Sequence, residues 1–348
     1  MDTLTARPRL LKQANLSLIR KVIKIKNTAT RAEIANETKI SSTTVRSLLA
    51  EMIENGEIES MGYDESSGGR KAERYRLRPD RYHSVIFCIM DKEIHSLIVN
   101  ICGEILETKE LKLDTENQKY ETTIIHYLDK LISEIEIKSI GIGVPGIVEG
   151  GHYWQQDKQS GELVREDIGD NLAKKYGIPV VLENDIKATM LGVGQCYQKM
   201  SPDENPESTN MAYLFLGKGC VSASFMAGGR IIRGHNNFAG ELGLIPMEED
   251  KQLRECMDAK MDDAQYIHLV VKIISWICGI LNPQYVILGG PNLRENCIGM
   301  IGNEIASLLP KHMQAEVLYA PDVWHDYYEG MAHLTVAKMF DDIQFIRE

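Results

Sequence analysis

The sequence TRAEIANETKISSTTVRSLLAEMIENGEI, from Thr30 to Ile58, predicts two short helices joined by a tight turn. Thr30 and Glu33 are spaced as a capping box, in which each side chain accepts a hydrogen bond from the other residue's backbone N–H. A further helix, capped by Ser41 or Ser42, carries apolar residues at the i, i+3, i+4, i+7 and i+8 positions, namely Val45, Leu48, Leu49, Met52 and Ile53. This pattern predicts a helix-turn-helix.

The second helix of this pair carries small hydrogen-bonding side chains and one guanidinium group near its N-terminus, away from its apolar face: Ser42, Thr43, Thr44, Arg46 and Ser47. A DNA recognition helix needs this arrangement, because its first residues must reach base edges in the major groove while its back packs on the preceding helix. We therefore predict that these five residues contact DNA. The alternative is a protein-interaction module, since three helices and a hairpin also serve that purpose.

A β-hairpin is predicted after the helices, with strands over Glu57–Met61 and Glu73–Arg78. Its polar tip contains Gly68, Gly69, Arg70 and Lys71. Glycine lets the backbone approach DNA closely, and a basic side chain at a tip can enter a narrow minor groove or pair with phosphate. We predict DNA contacts from Gly69, Arg70 and Lys71. With a first helix over about Leu10–Lys26, the pattern is that of a winged helix-turn-helix.

The net charge is divided unevenly along the 348 residues. The whole chain carries −11, whereas residues 1–81 carry +5 and residues 82–348 carry −16. The first part can approach phosphate, while the rest repels it. We predict a DNA-binding domain over residues 1–81 and a second domain over residues 82–348.

The seven cysteines are odd in number, widely spaced and form no CxxC pair, which favours free thiols in a reducing cytoplasm. The first residues lack the apolar core of a secretory signal, and no apolar run approaches the roughly 18 residues that a membrane span needs. We expect a cytoplasmic protein with no membrane partner.

From His83 onward the pattern changes to short apolar strands with glycine turns, such as SVIFCIM, HSLIVNI, SIGIGVPGIV, MAYLFLGKG and PQYVILGG. Helical patterns lie between them, over Tyr120–Glu136 and Asp263–Leu281. Alternating strands and helices predict an α/β region, here with two similar lobes around a cleft. Clefts of this kind bind small molecules.

The chain resembles the ROK family of repressors, open reading frames and kinases. Beyond the N-terminal pattern, the resemblance rests on GIGVPGIVEGG, LENDIKATMLG, LGKGCVSASFMAGGRIIRGHNNFAGELG and NPQYVILGG, in that order and spacing. It covers nearly the whole chain. It implies an N-terminal winged helix-turn-helix followed by a two-lobed, actin-like and ribonuclease H-like sugar kinase domain.

The resemblance also implies a set of ligand-binding residues. Asp185 stands where family kinases hold the base that deprotonates the sugar hydroxyl, and Asn184, Asn237 and Glu241 stand where the family hydrogen-bonds sugar hydroxyls. Pro145 and Gly146 match the loop over the sugar. Two alternatives stay open, since Asn-Asp can cap a helix and a buried Glu241 can hold a loop. His235 is expected to face solvent.

Several departures from the family pattern argue against kinase activity. Cys88 and Met90 replace the Asp and Gly of the turn that handles phosphate and Mg²⁺, for which a thiol and a long side chain are unsuited. Val221 replaces a glycine of the second phosphate loop and is expected to crowd the phosphates. Leu244 replaces the zinc-binding histidine, only Cys256 remains of the cysteine cluster, and the segment is shorter than in the family. We predict no catalytic residue, with Asp185 as a vestigial base, no metal and no cofactor.

The sequence therefore predicts a transcription regulator, most simply a repressor of carbohydrate-related genes. Its expected partners are a double-stranded DNA operator, a sugar or sugar-phosphate effector, and further copies of itself as a homodimer or higher homo-oligomer. One alternative is an ATP-dependent sugar kinase with an appended DNA-binding domain. Another keeps DNA binding but makes the second domain a dimerisation scaffold without an effector.

Overall fold

The structure is a computed structural model that describes residues 6–63, 71–90, 92–113, 119–156, 162–201, 205, 208–247, 250–258 and 260–339. The predicted DNA contacts Gly69 and Arg70, together with Gly68, lie outside the described residues.

The N-terminal segment, up to residue 81, contains three helices and a small sheet: α1 (Ala6–Lys26), β1 (Ala29–Thr30), α2 (Arg31–Thr38), α3 (Ser42–Glu54), β2 (Ile58–Tyr63) and β3 (Glu73–Leu77). Strand β3 lies between β1 and β2 and is antiparallel to both. Three helices followed by an antiparallel hairpin agree with the elements that the sequence predicts for this segment. The hairpin strands lie where the sequence predicted them, to within two residues.

Local hydrogen bonds set the helix boundaries in this segment. In the capping box of α2, Glu33 N donates to Thr30 Oγ1 over 3.2 Å and Thr30 N donates to Glu33 Oε2 over 2.7 Å. Ser41 caps α3 and accepts from Thr44 N. The apolar pattern of α3 predicts that Ile53 is buried, but this residue is 44% exposed. Eight positions after Val45, the helical period has drifted by about 80°, so Ile53 lies at the edge of the apolar face.

The rest of the chain is built on two five-stranded sheets, one in each lobe. The first lobe contains the sheet β11-β7-β4-β5-β6. Its strands, and the small sheet β10-β9-β8 beside it, are β4 (His83–Met90), β5 (Glu93–Asn100), β6 (Ile105–Leu111), β7 (Ile137–Val144), β8 (Ile147–Glu149), β9 (His152–Gln156), β10 (Leu163–Glu166) and β11 (Val180–Asn184). The second lobe contains the sheet β14-β13-β12-β15-β16, with β12 (Met211–Gly217), β13 (Cys220–Ala227), β14 (Arg230–Ile231), β15 (Tyr285–Gly289) and β16 (Glu316–Tyr319).

The two large sheets share one topology. In each, the first three strands form an antiparallel meander, and two further strands join the first strand's other side in parallel. The helices are α4 (Tyr120–Leu131), α5 (Ile168–Tyr176), α6 (Asp185–Met200), α7 (Leu253–Asp258), α8 (Asp263–Leu281), α9 (Ile298–Leu308) and α10 (Val323–Met339). The repeated topology confirms the prediction of two similar lobes.

Helices α6 and α10 cross at the junction of the lobes. Helix α10 packs on β4, β5 and β7 of the first lobe, and α6 contacts β12, β13 and β14 of the second lobe. Glycine permits a very close crossing, since a Cβ at Gly192 would lie 1.8 Å from Asp326 O and one at Gly330 would lie 1.9 Å from Ala188 O. The backbones of the two helices are therefore in direct contact.

Helix α10 also connects the lobes to the N-terminal segment. Met339, its last residue, packs against the core cluster that contains Ile19 and Ile34 of the N-terminal helices. Ile101, from the turn after β5, is 5% exposed in the same cluster, and its N–H donates to Pro79 O. The N-terminal segment is thus packed on the first lobe and on the end of α10.

Among the described residues, one helix is long and apolar enough by composition to cross a membrane, namely α8. It lies in the core of the second lobe, where Val270, Ile273 and Ile274 are fully buried. Burial in a protein core explains its apolar composition.

Substitution of Gly192 by alanine tests the helix crossing. The added methyl group overlaps the backbone of α10, so Gly192→Ala should lower the free energy of unfolding by about 2–3 kcal/mol in urea titrations. The control is Gly302→Ala in α9, where a Cβ meets nothing within 4 Å. That variant should gain about 0.5–1 kcal/mol, because alanine favours the helix. Equal effects of the two substitutions would contradict the close crossing.

Candidate ligand cleft and DNA surface

Parallel pairing of β7 with β11 brings together the first of the residues predicted to line a ligand cleft. The register places Val144, the last residue of β7, beside Asn184, the last residue of β11. The loop that begins with Pro145 therefore lies next to the start of α6, at the carboxyl ends of parallel strands where ligands commonly bind. Gly146 has φ of 144°, and a Cβ there would lie 2.4 Å from Trp154 O. Only glycine fits this position.

Asn184 ties the loop to the helix. Its Oδ1 accepts from Lys187 N over 2.9 Å as the N-cap of α6, and its Nδ2 donates to Gly146 O over 2.9 Å and to Asp185 Oδ1 over 3.0 Å. Asp185 is 8% exposed and also accepts from Ile186 N. These contacts agree with the alternative in which Asn184 caps α6, because both the oxygen and the nitrogen of its amide are hydrogen-bonded within the protein.

A buried lysine links the start of α6 to the loop of Asn237. Lys187 is 3% exposed, and its Nζ donates to Asn237 O over 2.9 Å. Asn237 has φ of 57° and donates through Nδ2 to Val148 O. Glu241 is close enough to Lys187 for the two charges to interact. The structure thus gathers Gly146, Asn184, Asp185, Asn237 and Glu241 around Lys187, with Pro145 next to Gly146 in the chain.

The charges in the cleft are nearly balanced. Glu183 is 4% exposed, and both its carboxylate oxygens accept from the guanidinium of Arg233. Burial lowers the pKa of Lys187, and the surrounding carboxylates, Glu183 foremost, oppose that shift. Burial raises the pKa of Glu241, with Lys187 opposing. The cleft therefore presents paired ions and hydrogen-bonding groups, a chemistry suited to hydroxyl-rich ligands.

Sequence reasoning missed Lys187, Glu183 and Arg233. Two features of the sequence could have identified Lys187 and Glu183. A lysine in the first turn of a helix is unfavourable beside the positive end of the helix dipole, which indicates a specific partner. Glu183 is a charged residue at the end of an apolar strand, where an unpaired charge is costly. The partner Arg233 lies 50 residues further along the chain, and nothing local identifies it.

Three of the residues that depart from the kinase pattern are buried. Cys88 is fully buried and Met90 is 6% exposed, both in the apolar cluster between the two large sheets. Val221 is 1% exposed and belongs to the core of the second lobe. The alternation of side chains along β13 directs Val221 into this core, and the expectation that it crowds a phosphate site stays a prediction.

Leu244, at the position of the family histidine, is 39% exposed, and Cys256 lies on α7. His235 is exposed, as expected.

A second cavity, of about 590 Å³, lies at the carboxyl ends of the parallel strands β12 and β15. Three of its lining residues are cationic, namely Lys218, Lys260 and Arg294. Tyr266 and Asn292 also line it. Arg294 Nη1 donates to Asp263 Oδ1 over 2.6 Å, so part of this positive charge is already neutralised.

The predicted recognition face of α3 is exposed at four of its five positions, Ser42, Thr43, Arg46 and Ser47. Thr44 is half-buried, and its hydroxyl is hydrogen-bonded to the Ser41 hydroxyl at 2.8 Å. Lys71, at the described edge of the wing, is exposed.

The pKa shift of Glu241 gives a pH-dependent prediction. A raised folded-state pKa means that ionised Glu241 disfavours the folded state, a cost that grows as pH rises through that pKa. Glu241→Gln should therefore raise the free energy of unfolding at pH 8, and the gain should shrink as the pH falls towards the ordinary value of 4.5. The exposed Glu304→Gln is the control. A loss that grows with pH would instead show that attraction to Lys187 dominates.

Residues 91–261 match the ROK family. The xylose repressor of Caldicellulosiruptor bescii is 26% identical over 249 residues, which cover 67% of this chain and 59% of that protein. The DNA-binding transcriptional dual regulator NagC of Escherichia coli (strain K12) is 21% identical over 252 residues, which cover 69% of this chain and 59% of that protein. The matched region spans about three fifths of the length of these curated relatives.

Solved structures share the fold. A ROK family transcriptional regulator, described as a homolog of the E. coli MLC protein, has a TM-score of 0.69 and 16% identity, covering 94% of this chain and 99% of that chain. A ROK family glucokinase from Streptomyces griseus, in complex with glucose and AMPPNP, has a TM-score of 0.55 and 16% identity, covering 73% of this chain and 99% of that one. The family match places a ROK family domain at residues 91–261, and the solved structures show that the fold is shared.

Proposed function

We propose that this protein is a sugar-responsive transcription repressor that binds operator DNA through α3 and the wing. The observation that carries the proposal is the exposed polar N-terminal face of α3, in a winged helix packed on a ROK family domain. In this proposal residues 1–81 bind DNA, and residues 82–348 sense a ligand and dimerise.

DNA binding is supported by charge as well as shape. Residues 1–81 carry a net charge of +5 within a chain of −11, so the approach of DNA is favoured at this end. Two-fold symmetric operators require two recognition helices, and we therefore propose at least a homodimer that works in the cytoplasm. The named relatives, a xylose repressor and NagC, are consistent with this class of regulator.

The proposed effector is a sugar or sugar phosphate in the cleft between the lobes. Pro145, Gly146, Asn184, Asp185, Asn237 and Glu241 are the proposed contacts. Asn184 and Asn237 act mainly by shaping the loops, since their amide groups donate to Gly146 O and Val148 O. Asp185 and Glu241 are the proposed acceptors for ligand hydroxyls.

The α6–α10 pair provides a route from the cleft to the DNA surface. Helix α6 begins at Asp185 in the cleft and crosses α10, whose last residue, Met339, packs into the N-terminal core. A ligand that binds one lobe arrangement more tightly shifts the population towards it. Movement of α10 then changes the position of the recognition helix, and coupling of this kind typically amounts to about 1–3 kcal/mol.

An ATP-dependent sugar kinase is the second candidate, favoured by the cavity with Lys218, Lys260 and Arg294. The burial of Cys88 and Met90 in an apolar cluster counts against it, because neither side chain offers a hard oxygen ligand for Mg²⁺. Sugar-dependent turnover of Mg-ATP that disappears in Asp185→Asn would establish the kinase.

Substitutions in α3 and the wing separate base contacts from phosphate contacts. Arg46→Ala should weaken binding to the protein's own upstream DNA by about 1–3 kcal/mol, with little effect on shuffled DNA, if Arg46 contacts a base. Lys71→Ala should weaken binding to both DNAs and reduce the slope of log affinity against log salt by about one.

Fluorescence anisotropy at several salt concentrations measures both effects. Arg165→Ala is the matched control, since this exposed arginine lies on β10 in the first lobe. An unchanged ratio of specific to shuffled affinity in Arg46→Ala would remove Arg46 from the recognition surface.

A further inference from the structure

Three side chains that can bind a metal converge where α6 passes the first turn of α10. Cys196 comes from α6, and His325 and Asp326 come from α10. Each offers one ligand atom, and these atoms all lie within 4.8 Å of one another. The set comprises a thiol, an imidazole and a carboxylate, and it lies apart from the cleft residues and from the family's cysteine-rich zinc motif.

None of these three groups is engaged elsewhere in the part of the chain that the structure describes. No hydrogen bond reaches the carboxylate of Asp326, the ring of His325 or the thiol of Cys196 among those residues. Asp326 lies near the carboxylates of Asp322 and Glu329, and near His325. A half-buried carboxylate among other acids is costly unless a cation lies nearby.

The ligand atoms are close enough to reach a tetrahedral zinc site after a small adjustment. Zn–S and Zn–N bonds of about 2.3 and 2.0 Å place neighbouring ligand atoms about 3.3–3.8 Å apart. Because the ligand atoms here lie within 4.8 Å of one another, a contraction of at most about 1.5 Å is required. The exposed ring of His325 can turn to make that adjustment. Thiolate with imidazole is a donor set that suits Zn²⁺.

We propose that Cys196 Sγ, a ring nitrogen of His325 and a carboxylate oxygen of Asp326 bind a Zn²⁺ ion between α6 and α10. Water completes the fourth position. The ion joins the two helices beside their closest approach at Gly192, and so stiffens the junction of the lobes. The site does not depend on whether the cleft binds a sugar.

A second convergent group provides a control within the same protein. His152, Asp167 and Asp170 also have ligand atoms within 4.8 Å of one another. Asp167 already accepts from Arg165 Nε over 2.6 Å, and His152 lies 3.6 Å from Glu149. Because a cation already neutralises Asp167 and the group offers no thiol, zinc is not expected there.

Zinc binding is measured on the full chain by equilibrium dialysis after removal of metal with a chelator. The expected result is one zinc per chain, with an affinity at least about tenfold weaker in Cys196→Ser and in His325→Ala. Cys256→Ser and His152→Ala should bind as the parent chain does. His325 is exposed, so His325→Ala should fold normally, which metal-free melting temperatures verify.

Binding of Co²⁺ tests whether the thiol of Cys196 is a ligand of the metal. Co²⁺ bound by the parent chain should show a sulfur-to-cobalt charge-transfer band that is lost in Cys196→Ser and kept in Cys256→Ser. Zinc at a hundredfold excess over its Kd should raise the melting temperature by about 5–10 °C. Absence of stoichiometric zinc, or a charge-transfer band that survives in Cys196→Ser, would overturn the proposal.

Discussion

The contact between α6 and α10 is the constraint on which the rest of this structure depends. Two glycines, Gly192 and Gly330, let the helix backbones touch. Helix α6 begins in the cleft and contacts the second sheet, whereas α10 packs on the first sheet and reaches the N-terminal core through Met339. The α6–α10 pair therefore contacts both lobes and the N-terminal segment.

The chain shares the fold of ROK family kinases, but the residues between its two large sheets differ from the kinase pattern. Where a magnesium-binding carboxylate is expected from the family pattern, Cys88 and Met90 contribute to an apolar cluster that fills the space between the sheets. The residues around Asp185 and Glu241 include the buried cation Lys187, which joins α6 to the loop of Asn237. Neither Cys88 nor Met90 offers an oxygen ligand for magnesium.

The elements that sequence predicted well are those set by local contacts. The capping box of Thr30 and Glu33 and the alternating strands depend on residues a few positions apart, and the two-lobed fold follows from their order. The pairs Lys187 with Asn237, Glu183 with Arg233, and Cys196 with His325 join residues 50 or more positions apart. Their proximity arises from the helix crossing and sheet register, which no local pattern encodes. Val221 is a different case, because the inward direction of its side chain follows from the local alternation of side chains along β13.

The most direct test is the affinity of the purified chain for its own upstream DNA and for shuffled DNA of equal length, at physiological salt, with and without each of a panel of sugars and sugar phosphates. The account predicts a preference for the upstream fragment that one of these ligands changes by about 5–150-fold, with a reciprocal change in ligand affinity on DNA binding. A preference that no ligand alters would make the ROK domain a dimerisation scaffold. Equal affinity for both DNAs under all conditions would contradict the assignment as a regulator.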